Sequence, residues 1–185
     1  MMLMLIFLLF TLPVTVTAEE HGTRNFSALH PSLLTKPHRG SSFSGEYGYG
    51  GGTSFTLSGN HRSGRLNGFR IHEQCGGIIH GIQFQYGQDW SQLYGIKSGL
   101  SHEVFLNKGE RITQVLGKYY SYYIQQLIFI TSHRRIFTFG QPGGYSFNAS
   151  PHYQGGFLNY ISGHHNSYGI TGIGFHWSEP RLVKA

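Results

Sequence analysis

Cysteine is almost absent from this chain: Cys75 stands alone in 185 residues. That excludes an internal disulfide, so the folded part must be held by its core. Cys75 lies beside Gly76-Gly77 at a turn, where it is either a buried small hydrophobe or a free thiol able to pair between chains. Acid is scarce as well, with 8 Asp and Glu together and charged residues at 12%. After Ser41 the acids are Glu46, Glu73, Asp89, Glu103, Glu110 and Glu179, and none forms a close pair. Paired-carboxylate chemistry is therefore excluded, and no nucleophile–base couple or phosphate loop appears in its place. We expect a protein without catalysis, cofactor or metal. Helical periodicity is also missing, since no ten-residue stretch repeats its apolar residues at 3.6.

What is present is 27 Gly, 15% aromatics and 12 His, with a formal net charge of +6. Glycine and aromatics with little charge suit short strands joined by tight turns. The basic balance favours anionic partners. Met1 to Ala18 is uncharged and apolar, is interrupted by Pro13, and ends in the small residues Val16-Thr17-Ala18 before Glu19-Glu20. This reads as a secretory signal peptide, and a secreted chain turns away from nucleic acid. No later segment has the length and apolarity of a transmembrane span. Residues 19–40 are polar and aperiodic and read as a disordered arm. They carry the sequon Asn25-Phe26-Ser27, and a second sequon starts at Asn148 with Pro151 directly after it.

The strongest pattern is a repeat. Ile79-His80-Gly81-Ile82-Gln83-Phe84 returns as Ile124-Gln125-Gln126-Leu127-Ile128-Phe129 and again as Ile170-Thr171-Gly172-Ile173-Gly174-Phe175. Ile79 to Ile124 is 45 positions and Ile124 to Ile170 is 46. A unit of that size cannot bury an apolar face alone, so three units share one core. Each reads as a hairpin whose second strand is the repeated segment. The expected strands are 42–47, 54–57 as its return strand, 68–72, 78–86, 90–96, 103–106, 112–116, 126–131, 136–139, 157–161 and 170–177.

Ser44-Gly45-Glu46-Tyr47-Gly48-Tyr49-Gly50-Gly51-Gly52, Ser146-Phe147-Asn148-Ala149, Tyr160-Ile161-Ser162-Gly163 and Ile173-Gly174-Phe175-His176-Trp177 together resemble the jacalin-related lectins. Within them the chain is similar to the animal zymogen granule protein 16 group. The resemblance covers residues 41–178 and leaves 179–185 as a tail. It implies an all-β, β-prism I fold, with three four-stranded Greek-key sheets in pseudo-threefold symmetry. It also implies a glycan site on loops at one end of the prism. Carried onto this chain, that site takes Gly51, Gly52 and Thr53 from the glycine loop, and Tyr168, Gly169, Ile170 and Thr171 from the last loop. Ser132 and His133 come from a third loop. The family's last loop carries an Asp that accepts from two sugar hydroxyls, and here Thr171 stands in its place.

Two partner classes follow: mannose-type glycans at the end loops, or sulfated polysaccharide or a protein receptor on a basic face of Arg62, Arg65, Arg134 and Arg135. His164-His165 with His152 or His176 lacks a carboxylate or thiolate companion and reads as surface histidine. Tyr119-Tyr120-Ser121-Tyr122-Tyr123 either stacks on sugar rings or packs between sheets. The sequence leaves the oligomeric state open.

Overall fold

The computed structural model describes residues 40–74 and 77–178. The leader, the arm with Asn25, Cys75 and the tail from Glu179 lie outside the described residues.

Among the described residues, thirteen strands form three antiparallel sheets. In the first, β1 (Ser41–Gly48), β13 (Ile170–Ser178), β12 (Phe157–His165) and β2 (Thr53–Thr56) lie in that order. In the second, the order is β10 (Ile136–Gly140), β9 (Tyr123–Thr131), β8 (Ile112–Tyr120), β11 (Tyr145–Ala149). In the third, β4 (Ile79–Tyr86) and β3 (Leu66–Glu73) are central and β7 (Leu100–Phe105) closes one edge. β5 (Asp89–Trp90) and β6 (Tyr94–Gly95) share the other edge as two halves of one broken strand. The molecule is thus a β-prism of three four-position sheets. The only helical element among the described residues is a 3-10 turn at Asn60–Ser63.

The repeat is realised strand for strand. β4, β9 and β13 hold the same place in their sheets, each paired with the first strand of its hairpin. Equivalent residues Ile82, Leu127 and Ile173, and then Phe84, Phe129 and Phe175, are fully buried and meet in one core. The Phe69, Phe84 and Phe129 rings pack within 4.6 to 6.4 Å of one another, centroid to centroid, so the sheets share aromatic contacts.

The symmetry extends to irregularities. Each repeat hairpin slips register by one residue at the same point, skipping His80, Gln125 and Thr171. Such a bulge leaves the extra residue unpaired and re-aims its side chain. The freed carbonyls are satisfied alike: His80 O accepts from Ile96 N at 2.9 Å, Gln125 O from Gln141 N at 2.9 Å and Thr171 O from Gly50 N at 3.1 Å. Against each carbonyl lies a positive-φ glycine, Gly95, Gly140 or Gly48, where a Cβ would come within 2.1, 2.0 or 2.5 Å of the oxygen.

Three expectations need correction. β2 is not the return strand of β1: it pairs with β12 while β1 pairs with β13, so the glycine loop crosses the sheet as a Greek key. Residues 90–96 do not form one strand, because Ser91 turns its hydroxyl to the Phe84 N–H and Gly95 takes φ 86. β11 was not expected as a strand. It is an exposed edge whose inward residues are Phe147 and Ala149.

Candidate functional site

Three loops meet at the end of the prism where β4, β9 and β13 begin. The first is the glycine loop. The Gly50 N–H donates to the Thr171 carbonyl, and the Thr171 hydroxyl donates to the Gly51 carbonyl at 2.5 Å. Gly52 has φ 110, and a Cβ there would come within 2.4 Å of the His165 carbonyl. The backbone therefore lies flat on the β12–β13 turn, which only glycine allows. No described group accepts the N–H of Gly51 or Gly52.

The second loop is that turn, residues 166–169. Asn166 organises it: its Oδ1 accepts from the N–H groups of Tyr168 (2.8 Å) and Gly169 (3.1 Å), an Asx-type turn. Its side-chain amide donates to the Tyr123 hydroxyl at 3.2 Å. The Tyr168 carbonyl accepts from His80 Nδ1 at 2.5 Å, which ties the bulge of the third sheet to the same turn.

The third loop is the β8–β9 hairpin turn, Tyr119 to Tyr123. Ser121 takes φ 54, and the Tyr122 ring meets the Tyr49 ring edge-on at 4.7 Å. Tyr49, Tyr122 and Tyr168 are all more than half exposed. Glu46 reaches this pole from β1. Its carboxylate accepts from His164 Nδ1 at 2.6 Å and lies over Gly172, where a Cβ would come within 2.1 Å of Oε1. The Glu46 carboxylate therefore rests beside Gly50, on the outer face of the sheet.

The expected residues divide. Gly51, Gly52, Thr53 and Tyr168 are at this pole, and Gly52, Thr53 and Tyr168 are exposed. Gly169, Ile170 and Thr171 are there but buried, and the Thr171 hydroxyl is spent on Gly51. Ser132 and His133 are elsewhere. They form the turn after β9, at the opposite end, where Ser132 exchanges hydrogen bonds with the backbone of Arg111. The Tyr119–Tyr123 turn takes the place expected for them. Glu46, His164, Asn166 and Tyr49 are not among the expected site residues, whereas Tyr122 and Tyr123 belong to the tyrosine-rich stretch for which ring stacking or packing between sheets was left open.

The four arginines do not share one function. Arg135 donates to the buried Glu110 at 2.8 Å and to the Phe105 carbonyl at 3.2 Å, so it is a structural partner. Arg134 is an exposed turn residue with φ 62, and Arg62 is exposed in the 3-10 turn. Arg65 lines a hollow at the opposite end. Asn148 is exposed on β11, with its Oδ1 accepting from Gln114 at 2.9 Å. His176 is stacked between Phe43 and Tyr160 at 4.4 and 4.2 Å, and burial holds its pKa below the usual imidazole value. No cluster of metal ligands occurs among the described residues. No described helix is long and apolar enough to cross a membrane.

Comparison with known proteins agrees with this architecture. The family model of the jacalin-like lectin domain matches residues 44–176. Human zymogen granule membrane protein 16 is 42% identical over 139 residues, which is 75% of this chain and 81% of that protein. Rat prostatic spermine-binding protein is 36% identical over 130 residues, 68% of this chain and 44% of that protein. Among solved structures, a prostate-specific WGA16 glycoprotein lectin superposes with a TM-score of 0.66 at 37% identity, covering 74% of this chain and all (100%) of the other.

Proposed function

We propose, from the premise that the chain belongs to the jacalin-like lectin family, that it is a secreted, non-enzymatic lectin binding glycans at the glycine-loop pole. The observation that carries the reading is the convergence of three loops there. Two backbone donors with no acceptor among the described residues, Gly51 and Gly52, lie beside the exposed phenols of Tyr49, Tyr122 and Tyr168. A sugar presents hydroxyl acceptors to the N–H groups and a C–H face to the rings. The carboxylate that the family's last loop would supply comes instead from Glu46, with one oxygen held by His164 and the other free to accept. The names of the zymogen granule relatives, with the apolar leader, support a secretory route.

A second reading has its own observation. The Thr171 hydroxyl is internal, so mannose-type recognition that depends on a carboxylate at this position is lost. The prism would then serve as an interaction module for sulfated polysaccharide or a protein receptor. A polyamine, which the prostatic relative's name records, suits neither reading, because the chain has a net charge of +6 and 8 acids.

A glycan array probed with the secreted chain at two salt concentrations separates the two readings. Binding of neutral glycans that ignores salt supports the lectin. Binding confined to sulfated glycans and abolished by salt supports the second reading.

A further inference from the structure

The opposite pole carries a site that the glycan reading does not use. We infer that Arg65 and Arg111 there form a receptor for a small amphipathic organic anion, one carboxylate or sulfate group on a single apolar ring. The two side chains open on a hollow of about 190 Å³, at the end of the prism where β3, β8 and β12 begin.

Its walls are mainly apolar, with Leu66, Leu106, Ile112, Phe157 and Leu158, and Asn159 and Ser178 add polar edges. The Arg111 guanidinium lies over the Phe157 ring, 3.9 Å from the centroid, and Arg65 stands exposed at the rim. Both side chains line the one hollow, and burial first, with the charge of Arg65 second, disfavours the charged form of Arg111. Neither has a carboxylate partner among the described residues. The nearby carboxylate, Glu110, is fully buried and already engaged by Thr131, the Asn107 N–H and Arg135.

Two like charges facing one hollow repel each other, and a shared anion relieves that repulsion. Guanidinium forks bind oxyanions with two parallel donors, so carboxylate and sulfate both fit. The apolar floor favours a hydrocarbon body over a polyol. A cavity of about 150 Å³ lined by Leu, Ile and Phe accommodates one benzene ring, so this hollow suits one ring and its head group.

The test is a titration of the isotopically labelled full chain, followed by amide chemical shifts. The probes are benzoate and phenyl sulfate, with benzyl alcohol and inorganic sulfate as controls. Both ring anions should saturate, with shifts centred on Leu66, Ile112 and Leu158, and the tighter of the two identifies the head group. Benzyl alcohol, lacking the charge, and sulfate, lacking the ring, should each bind about tenfold or more weaker. Arg65→Ala should weaken both anions about tenfold while melting with the parent, because Arg65 is exposed and has no carboxylate partner among the described residues. Arg111→Gln, which removes the guanidinium over Phe157, should do likewise. Absence of saturable shifts overturns the proposal. So does binding unchanged by Arg65→Ala, or shifts centred on Gly51, Gly52 and Tyr168.

Discussion

At the residue scale the decisive group is Thr171. It sits on a bulge, is buried, and gives its carbonyl to Gly50 and its hydroxyl to Gly51. Thr171→Val keeps the shape and removes the donor. It should cost about 0.5–1.5 kcal/mol in chemical denaturation, because the Gly51 carbonyl loses its partner. Thr171→Asp sets an ionised acceptor against that carbonyl in place of a donor. It should bring no gain in mannoside affinity by calorimetry, and a gain would show that the loop relaxes to expose the new carboxylate. Glu46→Gln removes the charge beside the glycine loop while keeping an acceptor for His164. Glycan affinity should fall about tenfold or more, the worth of a charged hydrogen bond, with the melting temperature little changed. An affinity equal to the parent's would remove Glu46 from the site. The resemblance to the family puts Thr171 where relatives are expected to carry Asp. The sequence did not show that Glu46 faces the same loop, because a contact across 118 residues depends on the pairing of β1 with β13.

At the element scale the glycines separate into two kinds. Gly48, Gly95 and Gly140 each hold positive φ against the carbonyl of a bulge, and Gly52 does the same against His165. Alanine at any of the first three, or valine at Gly52, meets both a forbidden dihedral and a backbone oxygen. Each should destabilise by about 1–3 kcal/mol in urea titrations. Gly51 has no positive φ, and a Cβ there meets only the exposed ring of Tyr49, so Gly51→Ala should leave stability nearly unchanged. Loss of glycan binding in Gly51→Ala then reports on the site, whereas loss in Gly52→Val reports on the fold. The three hairpins were legible because Ile, then Ile or Leu, then Phe recur at fixed spacing. The placement of the third loop was within reach of the same repeat. Turns that close the three equivalent hairpins must lie at one end, so Tyr119–Tyr123 joins residues 166–169 there. The turn after β9, with Ser132 and His133, must lie at the other. β11 was harder to read, because an edge strand with two inward residues has too short an alternation to stand out.

At the scale of the whole molecule, stability should fall in acid through three groups: His72, whose pKa is lowered by burial and then by the charge of Arg70, His176 and Glu110. Burial lowers the His176 pKa, so the unfolded chain, near 6.5, takes the proton more readily. The stability linked to His176 is complete above about pH 6.5 and is lost as pH falls towards and through the lowered value. Burial alone would raise Glu110, but hydrogen bonds from Thr131, the Asn107 N–H and Arg135, with the charge of Arg135, outweigh it and lower its pKa. That contribution is present above the ordinary carboxylate value, about 4.3, and is lost as pH falls through the lowered one. Melting temperature between pH 7.5 and 5 should therefore decline less in His176→Gln than in the parent; equal slopes would show that His176 is not the group titrating. The prism itself was readable from the threefold core. Its two ends were readable only in part: the repeat puts the hairpin turns at one pole, but the pairing of β1 with β13 and of β2 with β12, which brings the glycine loop and Glu46 to that pole, has no signal in the sequence pattern.

The claim that the glycine-loop pole binds glycan is tested most directly by mapping amide shifts on the labelled chain with the tightest glycan from the array. The account predicts saturable shifts clustered on Gly51, Gly52, Thr53, Tyr122, Asn166 and Tyr168, with Leu66 and Ile112 at the opposite end unmoved. Shifts clustered on the turn from Ser132 to Arg135, or spread along one face of a sheet with the glycine loop silent, would contradict it.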